Sequence, residues 1–290
     1  MAAGLIARFR SIIGRKRKKA PRLGLALGGG GAKGLAHIPI LELLDEMGVK
    51  PCCISGTSIG AVLGALYASG MSGSGIRGLV DDTVVKKGDS PDRVMKHLKK
   101  MVGFMDLDLF GPGIFKGSSF MDYFYEAIRI DSFQDLKVPL KVVATDFWTS
   151  GEVVISSGDL IGAVKASMGL PGVFTPVEKD GMVLIDGGGV DPVPWSVLEG
   201  CDVTVAVDVL GSSSGRSKDP PSAFRAVMEM FDIMQRSIVA ARMNADGPDI
   251  YLRPDIRGVG IMEFHRADEV YASAGPARDE LESRLKELGF

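Results

Sequence analysis

The chain is poor in the residues that build disulfide frameworks, membrane spans and metal clusters. Its 290 residues include three cysteines, two of them adjacent at Cys52 and Cys53, and three histidines. Three cysteines with an adjacent pair do not suggest a disulfide framework and indicate a reducing compartment. We expect these cysteines to be small buried hydrophobic residues. No apolar run reaches the roughly 20 residues that span a bilayer. No motif indicates a metal ion, a redox cofactor or a nucleic-acid partner.

Acidic residues are missing from one part of the chain. Residues 1–22 carry eight basic side chains and no acidic ones, whereas the whole chain has a net charge of −2. The apolar residues of this arm share one helical face: Leu5, Ile6, Phe9, Ile12 and Ile13. We therefore predict that the basic amphipathic arm 1–22 lies on an anionic membrane surface. A disordered tail or a helix packed on the body are the alternatives. The expected location is cytoplasmic, with peripheral attachment to the inner face of the membrane as a hypothesis.

A serine lies at the centre of a tight turn, Gly56-Thr57-Ser58-Ile59-Gly60, between an apolar strand and an Ala/Leu-rich helix. Small residues two positions before and after the serine let the backbone turn sharply, which exposes the hydroxyl above the end of the sheet. The first amides of the helix favour negative charge at that place. The pattern predicts that Ser58 is a nucleophile. The alternative is a serine that only caps the helix.

A glycine-rich loop follows the first predicted strand, Leu23–Leu27, and leads into a helix. Its spacing Gly29-x-Gly31-x-x-Gly34 matches a dinucleotide fingerprint, but no acidic residue follows at the distance needed to bind a ribose. The phosphate-binding loop also fails, because Gly34 follows Lys33 where Ser or Thr is required. We instead expect the amides of Gly29, Gly30 and Gly31 to face an oxyanion beside the serine turn.

The remaining patterns predict a three-layer α/β/α fold in a single domain, residues 23–290, with a mostly parallel central sheet. We expect helices over residues 121–130, 160–168, 223–243 and 267–288, and further strands over 140–146, 152–156, 182–185 and 202–209. The methionine-rich face of the helix 223–243 is predicted to lie in the core. Residues 70–118 are weakly patterned and are expected to cover the sheet, with a lid near 104–115. The core motifs fall within 23–210 and the C-terminal helices within 223–290.

An aspartate follows the predicted strand 182–185, in the sequence Asp186-Gly187-Gly188. An isolated Asp-Gly is often only a turn. Here we expect it at the end of the sheet that also holds Ser58, where a carboxylate could act as a general base.

In these residues the chain resembles the patatin-like phospholipase family, over roughly residues 22–210. The matching motifs are the glycine loop 28–34 with Lys33, the turn 56–60, the segment 166–174 and Asp186-Gly187-Gly188. The resemblance implies that Ser58 is the nucleophile, Asp186 the base and the Gly29, Gly30 and Gly31 amides the oxyanion donors. Further motif residues are implied to support the site: Lys33, Gly34, Gly56, Gly60, Gly187 and Gly188. In one departure, this chain has Asp191-Pro192 where relatives often have Asn-Pro.

The resemblance implies a serine acyl hydrolase that cleaves carboxylic esters of lipids or phospholipids through a Ser–Asp dyad and an acyl-enzyme, with no metal or cofactor. A catalytically quiet lipid-binding protein, a general esterase or thioesterase and a nucleotide-binding α/β protein are the alternatives. A triad of Ser58, Asp186 and His265 is the rival mechanism, because it has the chain order of α/β-hydrolases.

Overall fold

A computed structural model describes residues 21–84, 118–211 and 222–290, together with the single positions 90, 92, 95 and 220. Most of the basic arm and the expected lid at 104–115 lie outside the described residues. The strands are β1 Leu23–Leu27, β2 Cys53–Thr57, β3 Leu140–Asp146, β4 Gly151–Ile155, β5 Val177–Lys179, β6 Met182–Asp186, β7 Val203–Val207 and β8 Ile250–Leu252. The helices are α1 His37–Met47, α2 Ile59–Ala68, α3 Gly73–Asp81, α4 Ser118–Ile128, α5 Leu160–Ser167, α6 Ala223–Ala245, α7 Ala267–Ser273 and α8 Gly275–Leu288.

The strands form one mixed sheet in the order β5-β6-β3-β2-β1-β7-β8, and β4 pairs with β3 off this path. Strands β3, β2, β1, β7 and β8 run parallel to one another, whereas β4 and β6 are antiparallel to β3. A parallel pair requires a crossover, and helices such as α1 between β1 and β2 supply it. The α/β architecture with helices around a central sheet confirms the predicted fold class.

The two faces of the sheet bury different residues because side chains alternate along each strand. One face is aliphatic, and its central residues, Leu25, Ile54 and Val205 among them, pack in the larger core with α1, α2 and α8. The other face carries small residues such as Ala26 and Ala206, which pack with Trp195 and the α6 residues in a second cluster. Helices on one face, and α6 with the loop before β7 on the other, thus form the outer layers.

The register of β3 decides where the functional motifs meet. Strand β2 pairs with residues 140–143 of β3, and β6 pairs with residues 144–146. Since β4 pairs with residues 142–146, it occupies one edge of β3, and β2 and β6 share the other. The carboxyl ends of the parallel β2 and the antiparallel β6 therefore point toward each other. Ser58 follows the first and Asp186 ends the second.

Several predicted elements have the observed bounds, and others do not. Strands β1 and β3 match the sequence prediction residue for residue. The predicted helix 267–288 is wrong as one element, because it divides at Ala274, where Gly275 and Pro276 begin a new helix. The prediction of a buried methionine face on α6 is wrong for Met230 and Met234, which are more than half exposed, whereas Met243 packs against the second core cluster. Short β5 and β8 were not expected, since three residues carry too little pattern to identify a strand.

The cysteines only partly follow their prediction as buried residues. Cys53 is buried, whereas Cys52 and Cys201 are half-buried with their Sγ atoms 3.0 Å apart. All three are free thiols. None of the helices in the described ranges combines the length and the hydrophobicity that crossing a bilayer requires.

The packing of α2 on β1 predicts that Gly60 tolerates no side chain. A Cβ added at Gly60 would lie 2.1 Å from the carbonyl oxygen of Leu27, so Gly60→Ala forces backbone atoms apart. We expect a loss of about 1–3 kcal/mol in the free energy of unfolding, measured by urea denaturation. The matched control is Gly78→Ala in α3, where no atom lies within 4 Å of the added Cβ. Equal stability of the two variants would contradict the prediction.

Candidate active site

Ser58 has a strained backbone between β2 and α2. Its φ of 54° and ψ of −125° lie outside the regions that non-glycine residues ordinarily adopt, a conformation that costs about 1–3 kcal/mol. Its side chain makes no capping hydrogen bond to α2, so the alternative of a simple helix cap is wrong. Gly56 permits this turn, since a Cβ there would lie 2.6 Å from the amide nitrogen of Ala61. The helix therefore does not use the Ser58 hydroxyl as a cap, and the turn leaves this hydroxyl accessible.

Ser167 holds the backbone of Ser58 in this conformation. The Ser58 N–H donates to Ser167 Oγ at 2.8 Å, and that hydroxyl donates to the carbonyl of Val143 at 2.6 Å. Ser167 is fully buried at the end of α5. Sequence reasoning quoted it only as part of the motif 166–174 and assigned it no role. A buried serine that links two sheet strands through backbone groups gives no periodic signal in a sequence.

The carboxylate of Asp186 lies beside the Ser58 side chain and is buried. Asp186 is 5% exposed, and its Oδ1 accepts the Gly188 N–H at 2.7 Å. Burial raises the pKa of Asp186 to about 6, while the hydrogen bond from Gly188 and the neighbouring Ser58 hydroxyl lower it in part. Gly187 is required here because a Cβ would lie 2.3 Å from the carbonyl oxygen of Val143. The arrangement places a carboxylate of raised proton affinity next to the serine side chain.

The glycine loop lies against the serine turn, as the parallel order of β1 and β2 predicts. A Cβ added at Gly29 would be 3.4 Å from the Cβ of Ser58. The Gly29 N–H, however, donates to the carbonyl of Pro192 at 2.9 Å, which corrects the expectation that all three amides are available. Within the described chain, no acceptor takes the N–H of Gly30 or Gly31. These two amides remain as the candidate oxyanion donors.

Lys33 faces the protein interior. Its Nζ lies 2.6 Å from Asp232 Oδ2 and donates to the carbonyl of Leu210 at 3.0 Å. The Lys33 side chain is 5% exposed and that of Asp232 12%. Lys33 therefore attaches the glycine loop to α6. Gly34, one residue later, lies against Ile59, whose Cγ2 would be 2.3 Å from an added Cβ.

A cavity of about 340 Å³ opens beside these groups. Ser58, Asp186 and residues 29–31 contribute its polar lining. Most of the other lining residues are apolar and come from distant parts of the chain, for example Leu66, Val80, Phe124, Leu170, Phe231 and Met262. A largely apolar pocket with a few convergent polar groups suits a hydrophobic ligand with one reactive polar centre.

The histidines have different surroundings. His37 is fully buried, its Nε2 lies 2.8 Å from the carbonyl of Gly28, and burial lowers its pKa to about 4. It is therefore neutral and donates from Nε2 to the glycine loop. His265 is exposed in a short 3₁₀ helix and lines the cavity, but no hydrogen bond joins it to Ser58 or Asp186 in the described structure. His97 lies outside the described residues. No three His, Cys, Asp or Glu side chains among those described are grouped to hold a metal ion.

The raised pKa of Asp186 predicts a pH-dependent cost in stability. Because the folded pKa, about 6, exceeds the unfolded value of 3.8, the favourable contribution is complete below the unfolded pKa and is lost as pH rises through about 6. Asp186→Asn cannot ionise. We expect its stability relative to the wild type to be about 3 kcal/mol more favourable at pH 8 than at pH 4, by urea denaturation. An equal difference at both pH values would contradict this.

Comparison with known proteins relates the chain to lipid hydrolases. It is 33% identical over 202 residues to an uncharacterized NTE family protein of Mycobacterium tuberculosis, covering 69% of this chain and 52% of that protein. A lysophospholipase of Kluyveromyces lactis is 32% identical over 275 residues, covering 86% of this chain and 18% of its own length. The chain thus spans about half of the mycobacterial relative and a smaller part of the fungal one.

Two further matches complete the comparison. Among solved structures, VipD from Legionella pneumophila aligns with 90% of this chain and 67% of its own, at 16% identity and a TM-score of 0.47. The family model described as patatin-like phospholipase matches residues 25–198, a segment that contains the serine turn, the glycine loop and Asp186. Because this match covers more than half of the chain, the chain belongs to the patatin-like phospholipase family.

Proposed function

We propose that the protein is a serine acyl hydrolase that cleaves carboxylic ester bonds of lipids or phospholipids. The observation that carries the proposal is the position of Ser58 beside the buried carboxylate of Asp186, both lining one largely apolar cavity. A serine hydroxyl is a poor nucleophile until a base accepts its proton. In this proposal the base is Asp186.

In the proposed first step, Asp186 accepts the Ser58 proton as Oγ attacks the ester carbonyl. The amides of Gly30 and Gly31 stabilise the resulting oxyanion, a contribution of about 3 kcal/mol per donor in other acyl hydrolases. Collapse of the tetrahedral intermediate breaks the ester C–O bond, and protonated Asp186 gives its proton to the leaving alcohol. The acyl group then remains on Ser58.

In the second step, Asp186 accepts a proton from a water molecule that attacks the acyl-Ser58 carbonyl. Collapse releases the carboxylic acid, and the proton returns to Ser58 Oγ. A base of pKa about 6 is well matched to this work, because it is ionised at neutral pH yet holds a proton better than an ordinary aspartate. Burial of Asp186 thus serves the reaction directly.

The apolar cavity supports an acyl chain as the group beside the reacting carbonyl. The fungal relative carries the name lysophospholipase, which supports a phospholipid or lysophospholipid as substrate. Attachment of the arm 1–22 to an anionic membrane surface remains a proposal that would bring the enzyme to such lipids.

A general esterase or thioesterase uses the same dyad and differs only in substrate. A catalytically quiet lipid-binding protein would have the cavity without an activated serine. The cavity accounts for both alternatives equally well, whereas the position of Asp186 beside Ser58 favours a hydrolase.

An activated serine predicts covalent labelling by a fluorophosphonate. We expect intact mass to show one adduct on the purified protein and none on Ser58→Ala, because Ser58 is the serine for which we propose a general base. Ser55→Ala is the matched control and should still be labelled, since the Ser55 hydroxyl donates to the carbonyl of Pro194 at 2.6 Å. Absence of an adduct on the folded protein, with anionic vesicles present, would favour the lipid-binding alternative.

The dyad and the triad make opposite predictions for two variants. If Asp186 is the base, Asp186→Asn lowers kcat on a short soluble ester by about 10⁴-fold, the order of loss for an essential base. His265→Ala then changes kcat by less than about threefold, because exposed substitutions away from such contacts have small effects. The reverse pattern would replace the dyad by the triad.

A further inference from the structure

The segment 191–194 joins the two halves of the proposed site. The carbonyl of Asp191 accepts the Thr57 hydroxyl at 2.7 Å, one residue before Ser58. The carbonyl of Pro192 accepts the Gly29 N–H at 2.9 Å, and the Asp191 N–H donates to Gly187 at 2.8 Å. This segment therefore contacts the strand before the nucleophile, the glycine loop and the turn after Asp186. A shift of residues 191–194 would therefore displace the end of β2, the glycine loop and the turn after Asp186 together.

The side chain of Asp191 is the unusual feature of this segment. This carboxyl group is fully buried, and its Oδ1 has no hydrogen-bond partner in the described structure. Its Oδ2 accepts from Arg242 at 2.9 Å and from Ser196 at 3.4 Å. An uncompensated carboxylate at such a place is strongly destabilising, so Arg242 is what makes the aspartate tolerable.

Arg242 contacts Asp191 together with residues on both sides of the segment and on β4. It lies on α6, outside the segment that the family model matches. Besides Asp191, it donates to the carbonyl of Val190 at 3.3 Å, to Ser196 at 3.0 Å and to Glu152 of β4 at 2.6 Å. Burial raises the pKa of Asp191 to about 7, whereas Arg242, the Ser196 hydroxyl and the nearby Val193 amide lower it and Glu152 raises it.

We infer that Asp191 and Arg242 form one positioning pair, which holds residues 191–194 so that the glycine loop and Ser58 keep their reactive arrangement. Neither side chain touches the reacting atoms. Asp191 is also the position at which the sequence departs from the family motif. The two residues are thus mutually dependent: loss of the arginine is harmful only while the buried aspartate is present. The activity readout rests on the proposed hydrolase function.

The test is a double-mutant cycle with Asp191→Asn, Arg242→Met and the two combined. At pH 8.5, where an unpaired carboxylate is most unfavourable, we expect Arg242→Met to lower kcat on a short soluble ester by the order of 100-fold, with KM changed less. The deficit should widen as pH rises from 6 to 9. The combined variant should recover to within about threefold of wild type at every pH. Arg236→Met, on the same helix, is the matched control and should match wild type.

Hydrogen exchange at the Gly29 and Asp191 amides supplies a readout that does not depend on activity. Arg242→Met should increase exchange at both amides, and the combined variant should restore protection. If Arg242→Met does not fold, Arg242→Lys keeps the charge but not the planar set of donors, and an intermediate deficit is expected. A combined variant as slow and as exposed to exchange as Arg242→Met would overturn the pair. A wild type without any activity would instead overturn the proposed function, and the exchange data would still decide the pairing.

Discussion

The proximity of Ser58 and Asp186 depends on one property of β3, namely that one of its two edges pairs with two strands in succession. Strand β2 takes residues 140–143 and β6 takes 144–146, so their carboxyl ends meet. In an open parallel sheet, ligands bind beyond the carboxyl ends of neighbouring strands. Here one of the two strands, β6, runs antiparallel to β3 and reaches the site from the opposite direction. Backbone pairing between strands, and not a flexible loop, therefore fixes the positions of the serine and the carboxylate relative to each other.

The site is built from unfavourable local structures that the rest of the fold supports. Ser58 has a positive φ, and Asp186 is a carboxylate removed from water. Each costs stability in isolation. The aliphatic face of the sheet and its helices bury a large core beside them, and Ser167 and Gly188 supply the hydrogen bonds that hold the strained groups. In the proposed mechanism the groups that cost stability are also the reacting groups, which is the trade-off known from catalytic sites.

Helix α6 belongs to the site although it follows the segment that defines the family match. Asp232 holds Lys33 of the glycine loop, Gln235 lies against Gly188, and Arg242 reaches Asp191. These residues recur at spacings of three and seven, which places them on the buried side of one helix. Met230 and Met234 lie on the exposed side. Helix α6 therefore positions the glycine loop together with the turn that follows Asp186. A chain that ended at residue 198 would lack these contacts.

The sequence by itself determined the class of the fold, the strands β1 and β3 and the residues of the candidate dyad, because short-range patterns encode them. Alternation of apolar residues marks a buried strand, and glycines at fixed offsets mark a turn in which no Cβ fits. Only the tertiary structure decided that β6 runs antiparallel, that the Gly29 amide is already bonded to Pro192, and that Lys33 points inward to Asp232. These depend on contacts between residues far apart in the chain, some separated by more than 150 positions. Such contacts leave no periodicity in one sequence, since either partner alone is compatible with many neighbours.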